Sequence, residues 1–110
     1  MKILKNKEKN NIICKFKKHE IKSKHIKKLQ EILVKNQQCD MAINMHKINK
    51  ISPVFYSFAK NNKVSFFNVD NDIISCLSVT GLLNNIRLFN SEEDYLKNKR
   101  QLLKRQFRIV

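Results

Sequence analysis

The chain has 110 residues, of which 23 are Lys or Arg and nine are Asp or Glu, so its formal net charge is +14. This length has room for one domain with its own core, and the charge favours a polyanion, an acidic protein or an anionic membrane surface as partner. It contains neither an apolar run of the roughly 18 residues that a membrane span needs nor an apolar signal segment at its start, so we predict neither.

The positive charge is concentrated near the amino terminus. Residues 1–28 contain eleven Lys against only Glu8 and Glu20, whereas residues 29–90 carry a net charge of +2. Lys, Asn and Ile make up 46 of the 110 residues, as expected from A- and T-rich coding DNA, so part of the lysine content reflects codon bias. Codon bias alone would spread lysine evenly, so the basic first quarter indicates a binding surface.

The first third of the chain predicts an arm, a strand and a helix. Residues 1–10 are rich in Lys and Asn, and we expect a flexible basic arm there, followed by a single domain over residues 11–110. Residues 12–17 alternate apolar and basic side chains, which predicts a half-buried strand. Ser23 is a suitable N-cap for an amphipathic helix that carries Ile26, Leu29 and Leu33 on one stripe.

The middle of the chain predicts three strands. Residues 39–46 alternate apolar and polar side chains, and Ser52 with Pro53 ends that region. Residues 54–59 and 64–69 are rich in aromatic and β-branched side chains, and four polar residues separate them. We therefore expect these two runs to pair as an antiparallel hairpin.

The last third predicts two helices and a short strand. Asp70 or Asn71 can cap a helix that ends near Gly81, although residues 73–80 have enough β-branched side chains to pass as a strand. Residues 86–89 are extended in this interpretation. Ser91 and the three acids after it predict the start of a second helix. Together these elements predict an α+β fold, with one mostly antiparallel sheet and two or three helices packed on it.

Basic side chains of the first strand, the first helix and the terminal segment are the candidate RNA-binding residues, because several ammonium groups on one surface can meet successive phosphates. The alternative for the same residues is a solvated lysine face. The predicted contacts are Lys15, Lys17, Lys18, Lys22, Lys24, Lys27, Lys28, Lys97, Lys99, Arg100, Lys104 and Arg105.

Other candidate sites are explained better by packing. The aromatic residues of positions 55–67 could stack on bases, but core packing is the better interpretation. Cys14, Cys39 and Cys76 fall on apolar phases and lack the close spacing of zinc ligands, so we expect unbridged buried thiols and no metal. No nucleophile and base stand at a recognisable spacing, so we expect no enzyme, no cofactor and no small-molecule substrate.

The order of these segments resembles the eukaryotic large-subunit ribosomal protein twenty-two family, short α+β proteins that lie on ribosomal RNA. The similar positions are Ile12 and Cys14, then Leu29, Gln30 and Glu31, residues 63–67, then Leu77, Ser78, Leu82 and Asn85, and residues 86–95 with Arg87, Asn90 and Ser91. The resemblance implies a terminal hairpin, where residues 91–108 themselves predict a helix. We assign no RNA contact from it.

Charge and resemblance together predict a ribosomal protein that binds folded ribosomal RNA and neighbouring ribosomal proteins, without a membrane partner. We expect it in the cytoplasm, and a mitochondrial location stays open. The alternative is an accessory subunit that binds other proteins in an intracellular or mitochondrial complex, with a charge that reflects codon bias.

Overall fold

The structure is a computed structural model that describes residues 1–6 and 10–97. This part of the chain contains β1 (Lys2–Asn6), β2 (Asn11–Lys15), β3 (Glu20–Ile21), α1 (Ser23–Lys35), β4 (Asp40–Asn44), β5 (Lys50–Ile51), α2 (Pro53–Asn62), β6 (Ser65–Phe67), α3 (Asn71–Val79), a 3₁₀ turn (Leu82–Asn85), β7 (Arg87–Phe89) and α4 (Glu92–Leu96).

The main sheet has five strands in the order β1-β2-β4-β6-β7. In the described part of the chain only β1 and β2 pair antiparallel, while β2, β4, β6 and β7 run parallel to one another. A second sheet pairs β3 with β5, also parallel. The predicted mostly antiparallel sheet is therefore wrong: the fold is mixed α/β with a mostly parallel sheet.

The error arises at residues 54–59, which form α2 rather than the first strand of a hairpin. Pro53 is the first residue of this helix, where its missing N–H costs no hydrogen bond. Phe55, Phe58 and Ala59 are buried on one side of it, at a spacing of three and four residues that belongs to a helix. The ring of Phe55 stacks on Phe66 of β6 with centroids 5.7 Å apart. The aromatic content thus reflects a buried helix face.

Each pair of neighbouring parallel strands is joined by a crossover connection that contains a helix. Because such crossovers are right-handed and these strands follow one another in sequence order, the connecting helices lie on the same face of the sheet. The core on that face joins Cys14 of β2, Ile43 of β4 and Phe66 of β6 to the buried sides of α1, α2 and α3. Leu29 of α1 and Leu77 of α3 are fully buried in it. The chain is in this respect a short stack of strand-helix units.

The opposite face of the sheet has a smaller core. Ile13, Ala42, Phe67 and Phe89 line it, and Tyr95 of α4 covers them. The Tyr95 ring stacks on Phe67 at 6.0 Å and meets Phe89 edge-on at 5.3 Å. The short helix α4 thus closes the face that α1–α3 leave open.

Several local predictions are confirmed. Gly81 has a φ of 75° just after α3, where a left-handed residue was expected. The Ser91 hydroxyl accepts a hydrogen bond from the Asp94 N–H at 3.1 Å, so Ser91 caps α4. Helix α4 ends at Leu96, and the predicted continuation over residues 98–108 lies outside the described residues.

Residues 2–6 of the expected arm form the edge strand β1, in which Leu4 pairs with Ile13. Their use as an arm that binds a partner stays a prediction. None of the helices in the described part of the chain has the length and apolar character needed to cross a membrane.

Helix α1 starts with a histidine cap instead of the predicted serine cap. Lys22 precedes the helix, and its backbone N–H donates to Nδ1 of His25 at 3.0 Å. The Phe16 ring packs edge-on against the imidazole at 5.0 Å. The pKa of His25 is lowered, mainly because burial desolvates the ring. The positive charges of Lys24, the amino terminus and Lys22 lower this pKa further, and the negative charge of Glu20 raises it by a smaller amount.

We predict that Leu29→Ala lowers the free energy of unfolding by about 2 to 5 kcal/mol, because Leu29 is fully buried between α1 and the sheet. Val34→Ala on the same helix is the control, since Val34 is 68% exposed and its truncation should cost less than about 0.5 kcal/mol. Chemical denaturation measures both. Equal losses would contradict the placement of α1.

We predict that the protein loses stability as the pH falls below 6.5, the ordinary pKa of a histidine side chain. The folded-state pKa of His25 is lowered, so the unfolded chain binds the proton more tightly and acid favours unfolding. Protonation of Nδ1 also removes the acceptor for the Lys22 N–H. His25→Gln keeps an acceptor at this position, and its denaturation midpoint should vary less between pH 7.5 and 5.5.

His46→Gln is the control for this pH experiment, because His46 is exposed and its ring caps no helix. It should leave the pH dependence of the midpoint as in the native chain. A His25→Gln protein with an unchanged pH profile would show that the cap does not control acid stability.

Candidate functional site

The carboxyl ends of β2, β4 and β6 meet at one edge of the sheet, because the three strands are parallel. In α/β sheets ligands bind outside the carboxyl ends of the parallel strands, where the loops that follow neighbouring strands come together. The residues that follow the three strands therefore define the candidate site. They are residues 16–19, 45–47 and 68–70.

A cleft of about 390 Å³ at this edge is lined mainly by basic side chains. Lys15, Lys17 and Lys18 come from the end of β2 and the loop after it, and Lys47 comes from the loop after β4. Lys2 joins them because β1 runs antiparallel to β2 and pairs Lys2 with Lys15. Five lysines from three separate segments of the chain thus share one cleft.

No ion pair among the described residues balances the positive charge of this basic cleft. All five lysines are exposed, and none of them forms an ion pair within residues 1–6 and 10–97. Like charges in one cleft repel each other and raise the local concentration of anions. The arrangement is therefore suited to a ligand that brings several negative charges.

His19 has a fixed orientation in the cleft. Its Nδ1 lies 3.0 Å from the backbone carbonyl oxygen of Lys47, and since a carbonyl only accepts, Nδ1 carries the hydrogen and donates. The His19 carbonyl in turn accepts from the backbone N–H groups of Asn49 and Lys50, at 2.9 and 3.3 Å. The ring nitrogen that remains for a ligand is Nε2.

A second hollow of about 440 Å³ adjoins the basic cleft and shares His19, His46 and Lys47 with it. Its other lining residues are Asn49, Asn68, Val69 and Asp70, so it combines two amides and a carboxylate with one apolar side chain. Through these shared residues the two hollows form one groove along the carboxyl edge, with four lysines at one end and the oxygen acceptors of Asn49, Asn68 and Asp70 at the other. We call this far end the acceptor pocket.

The structure separates the lysines that the sequence predicted as one surface. Lys15 lies on the sheet face of Ile13, whereas α1 packs on the face of Ile12 and Cys14. Lys17 and Lys18 lie in the basic cleft, but the exposed lysines of α1, Lys24, Lys27 and Lys28, do not line it. Lys22, half-buried, precedes α1 as its N-cap residue.

The remaining predicted contacts are in the terminal segment. Lys97 is described, and its Nζ donates to Oε1 of Glu93 at 2.7 Å, so its charge has a partner one turn away. The other four, Lys99, Arg100, Lys104 and Arg105, lie outside the described residues.

Sequence reasoning missed Lys2, Lys47, His19 and His46. Three of them, His19, His46 and Lys47, lie within four residues of the end of β2 or β4, and Lys2 is brought in by pairing. The available signal was the alternation of strand and helix patterns, which predicts a parallel sheet and hence a site just after each strand. The incorrect hairpin over residues 54–69 concealed it.

A larger groove of about 810 Å³ lies at the opposite edge, where β4, β6 and β7 begin. There Nη2 of Arg87 is 3.9 Å from a carboxylate oxygen of Asp40 and donates to the Lys63 carbonyl at 3.4 Å. The charge of Arg87 is thus partly balanced within the protein. This edge is less suited to a polyanion than the basic cleft.

The three cysteines are unbridged, as predicted, but only one of them is fully buried. Burial raises the pKa of Cys14 to about 12, which keeps the thiol protonated and unreactive. Cys39 is half-buried, and the exposed Cys76 accepts a hydrogen bond from the Tyr56 hydroxyl at 3.6 Å. The expectation of three buried thiols is therefore wrong for Cys76.

The chain matches no family model and no curated protein sequence.

Proposed function

We propose that this protein binds folded RNA as a structural component of a ribonucleoprotein particle, and that the basic cleft holds the RNA backbone. The observation that carries the proposal is the convergence of Lys2, Lys15, Lys17, Lys18 and Lys47 on one cleft without ion-pair partners in the described part of the chain. Phosphates are the ligands that bring regularly spaced negative charges to such a surface.

The use of lysine rather than arginine supports backbone contact over base reading. An ammonium group is a compact point charge without the planar fork by which arginine binds a phosphate or the edge of guanine with two hydrogen bonds. The described residues that line the basic cleft include five lysines and no arginine. Such contacts position a protein on RNA and carry no sequence information by themselves.

The ribosome is the particle that we propose, on the sequence resemblance and the high net charge. The cytoplasmic ribosome is the first choice and the mitochondrial ribosome the second. Separation of a native lysate on a density gradient tests this: the chain should travel with ribosomal subunits and be released at high salt. A chain that stays at the top of the gradient at low salt would contradict a ribosomal role.

A second candidate is the accessory subunit that binds protein. The consecutive parallel strands with α1–α3 on one face are an arrangement by which repeat proteins present extended binding surfaces. Val34, Val54 and Val79 are exposed on these helices. Absence of RNA binding at low salt would favour this candidate.

We predict that replacing the five cleft lysines by Gln weakens binding to a structured RNA and flattens its salt dependence. Each phosphate contact contributes about 0.7 to 0.9 to the slope of log affinity against log salt concentration, so the slope should fall by up to about 4. Folding should be preserved because all five side chains are exposed. Fluorescence anisotropy at several salt concentrations measures the slope.

The matched control replaces five exposed lysines of α1 and α2 outside the cleft, namely Lys24, Lys27, Lys28, Lys35 and Lys60. It removes the same charge and should change the slope less. If both variants lose affinity equally, the lysines act as diffuse charge. If the α1 and α2 variant loses more, the predicted surface of α1 is the binding surface and the basic cleft is not.

A further inference from the structure

We propose that the groove at the carboxyl edge reads one unpaired guanine of the RNA, with the base in the acceptor pocket and the adjoining phosphates on the lysines. This inference rests on the proposed function. Its basis is the continuity of the basic cleft with the acceptor pocket through His19, His46 and Lys47.

The charges along the groove orient a nucleotide in one direction. Four lysines attract phosphate at one end, Lys47 lies where the two hollows meet, and the carboxylate of Asp70 repels phosphate at the other end. A nucleotide in the groove therefore points its phosphates toward Lys15 and Lys17 and its base toward Asp70. The hollow of about 440 Å³ at that end is large enough for a base.

Asp70 is free for this task. It precedes α3 as the N-cap residue, where an aspartate side chain usually accepts from the helix N–H groups, but here it makes no capping bond. Its backbone carbonyl accepts from Ile73 and Ile74 instead, at 3.0 Å each. Within residues 1–6 and 10–97 the exposed carboxylate forms neither a capping bond nor an ion pair, which leaves its two oxygens for a ligand.

Asn68 adds a third acceptor on the same wall. Its Nδ2 donates to Oδ1 of Asn44 at 3.2 Å, and the same Oδ1 accepts from the His46 N–H at 3.0 Å. This bond directs the amide nitrogen of Asn68 toward the sheet and leaves its Oδ1 as an acceptor. The left-handed backbone of Asn68, with a φ of 57°, places it at the turn between β6 and α3.

A wall of acceptors selects a base with adjacent donors. Guanine presents N1–H and the N2 amino group side by side, which two carboxylate oxygens bind together. Adenine and cytosine each offer one amino group next to an acceptor nitrogen, and uracil offers one N–H between two carbonyls. The exposed rings of His19 and His46 supply flat surfaces on which an unpaired base can stack.

The test compares short single-stranded RNAs by fluorescence anisotropy on the full chain. A nonamer of uridine is measured against the same strand with one central guanine, adenine, cytosine or inosine. The guanine strand should bind about 5- to 150-fold more tightly than the uridine strand, as expected for one good paired base contact. Inosine lacks the N2 amino group and should lose most of this gain.

Asp70→Asn should abolish the guanine preference, because an amide cannot accept with both of its groups. Binding to the all-uridine strand should persist with the same salt slope or become tighter. Asp72→Asn is the matched control: it removes the same charge two residues away on α3, outside the acceptor pocket, and should keep the preference. Thermal denaturation checks that both variants fold.

Equal affinity for all five strands, or a guanine preference that survives Asp70→Asn, would overturn base reading. A steep, cleft-dependent salt slope in the same data would leave the proposed RNA binding intact. No binding to any strand or to structured RNA at low salt would overturn both.

Discussion

The parallel pairing of β2, β4, β6 and β7 is the constraint on which both the core and the groove depend. Each parallel step needs a crossover helix, so α1, α2 and α3 are brought to one face, where their apolar sides complete the larger core. The same pairing brings the carboxyl ends of β2, β4 and β6 to one edge. An antiparallel arrangement of the same strands would have divided these ends between two edges, and the lysines of the first two loops would not have met.

Most elements could be predicted from local patterns, but the topology depended on one of them. The alternation in residues 39–46 and the apolar stripe of α1 correspond to real elements, because burial on one face imposes the period of the structure on the sequence. Residues 54–59 were misassigned because their composition resembles a strand, although Phe55, Phe58 and Ala59 have helical spacing. That one misassignment replaced a strand-helix-strand unit by a hairpin, and the predicted sheet became mostly antiparallel instead of mostly parallel.

A repeated pattern in the sequence could have corrected the topology. Residues 64–68 read Val-Ser-Phe-Phe-Asn and residues 86–90 read Ile-Arg-Leu-Phe-Asn. The structure pairs Phe66 with Leu88 and Phe67 with Phe89 in the parallel register that this match implies. In a stack of similar strand-helix units, equivalent positions have similar surroundings, and similar residues therefore occur at them. Such a repeat distinguishes parallel stacking from a hairpin, in which equivalent positions would run in opposite directions.

The sequence predicts that the candidate site is positively charged, but it does not predict which residues form it. The charge near the amino terminus can be read from the sequence, and it points to Lys15, Lys17 and Lys18, which the structure places in one cleft. Whether a lysine of β2 and a lysine of α1 lie together depends on which face of the sheet each occupies. Lys15 and α1 lie on opposite faces of the sheet. The alternation of β2 shows which residues share a face, but not on which of the two faces α1 packs.

The high Lys, Asn and Ile content is consistent with codon bias, but such a bias does not explain where the lysines lie. Bias acts on codons without regard to the fold, so it has no reason to bring Lys2, Lys15 and Lys47 from three separate segments to one cleft. It equally leaves unexplained a lone carboxylate, Asp70, at the far end of the same groove without the capping bond that its position offers. A solvated lysine face needs neither feature. A groove with a cationic end and an acceptor end is what a ligand with a phosphate and a base requires, and it is this polarity, more than the total charge, that supports a nucleic-acid ligand.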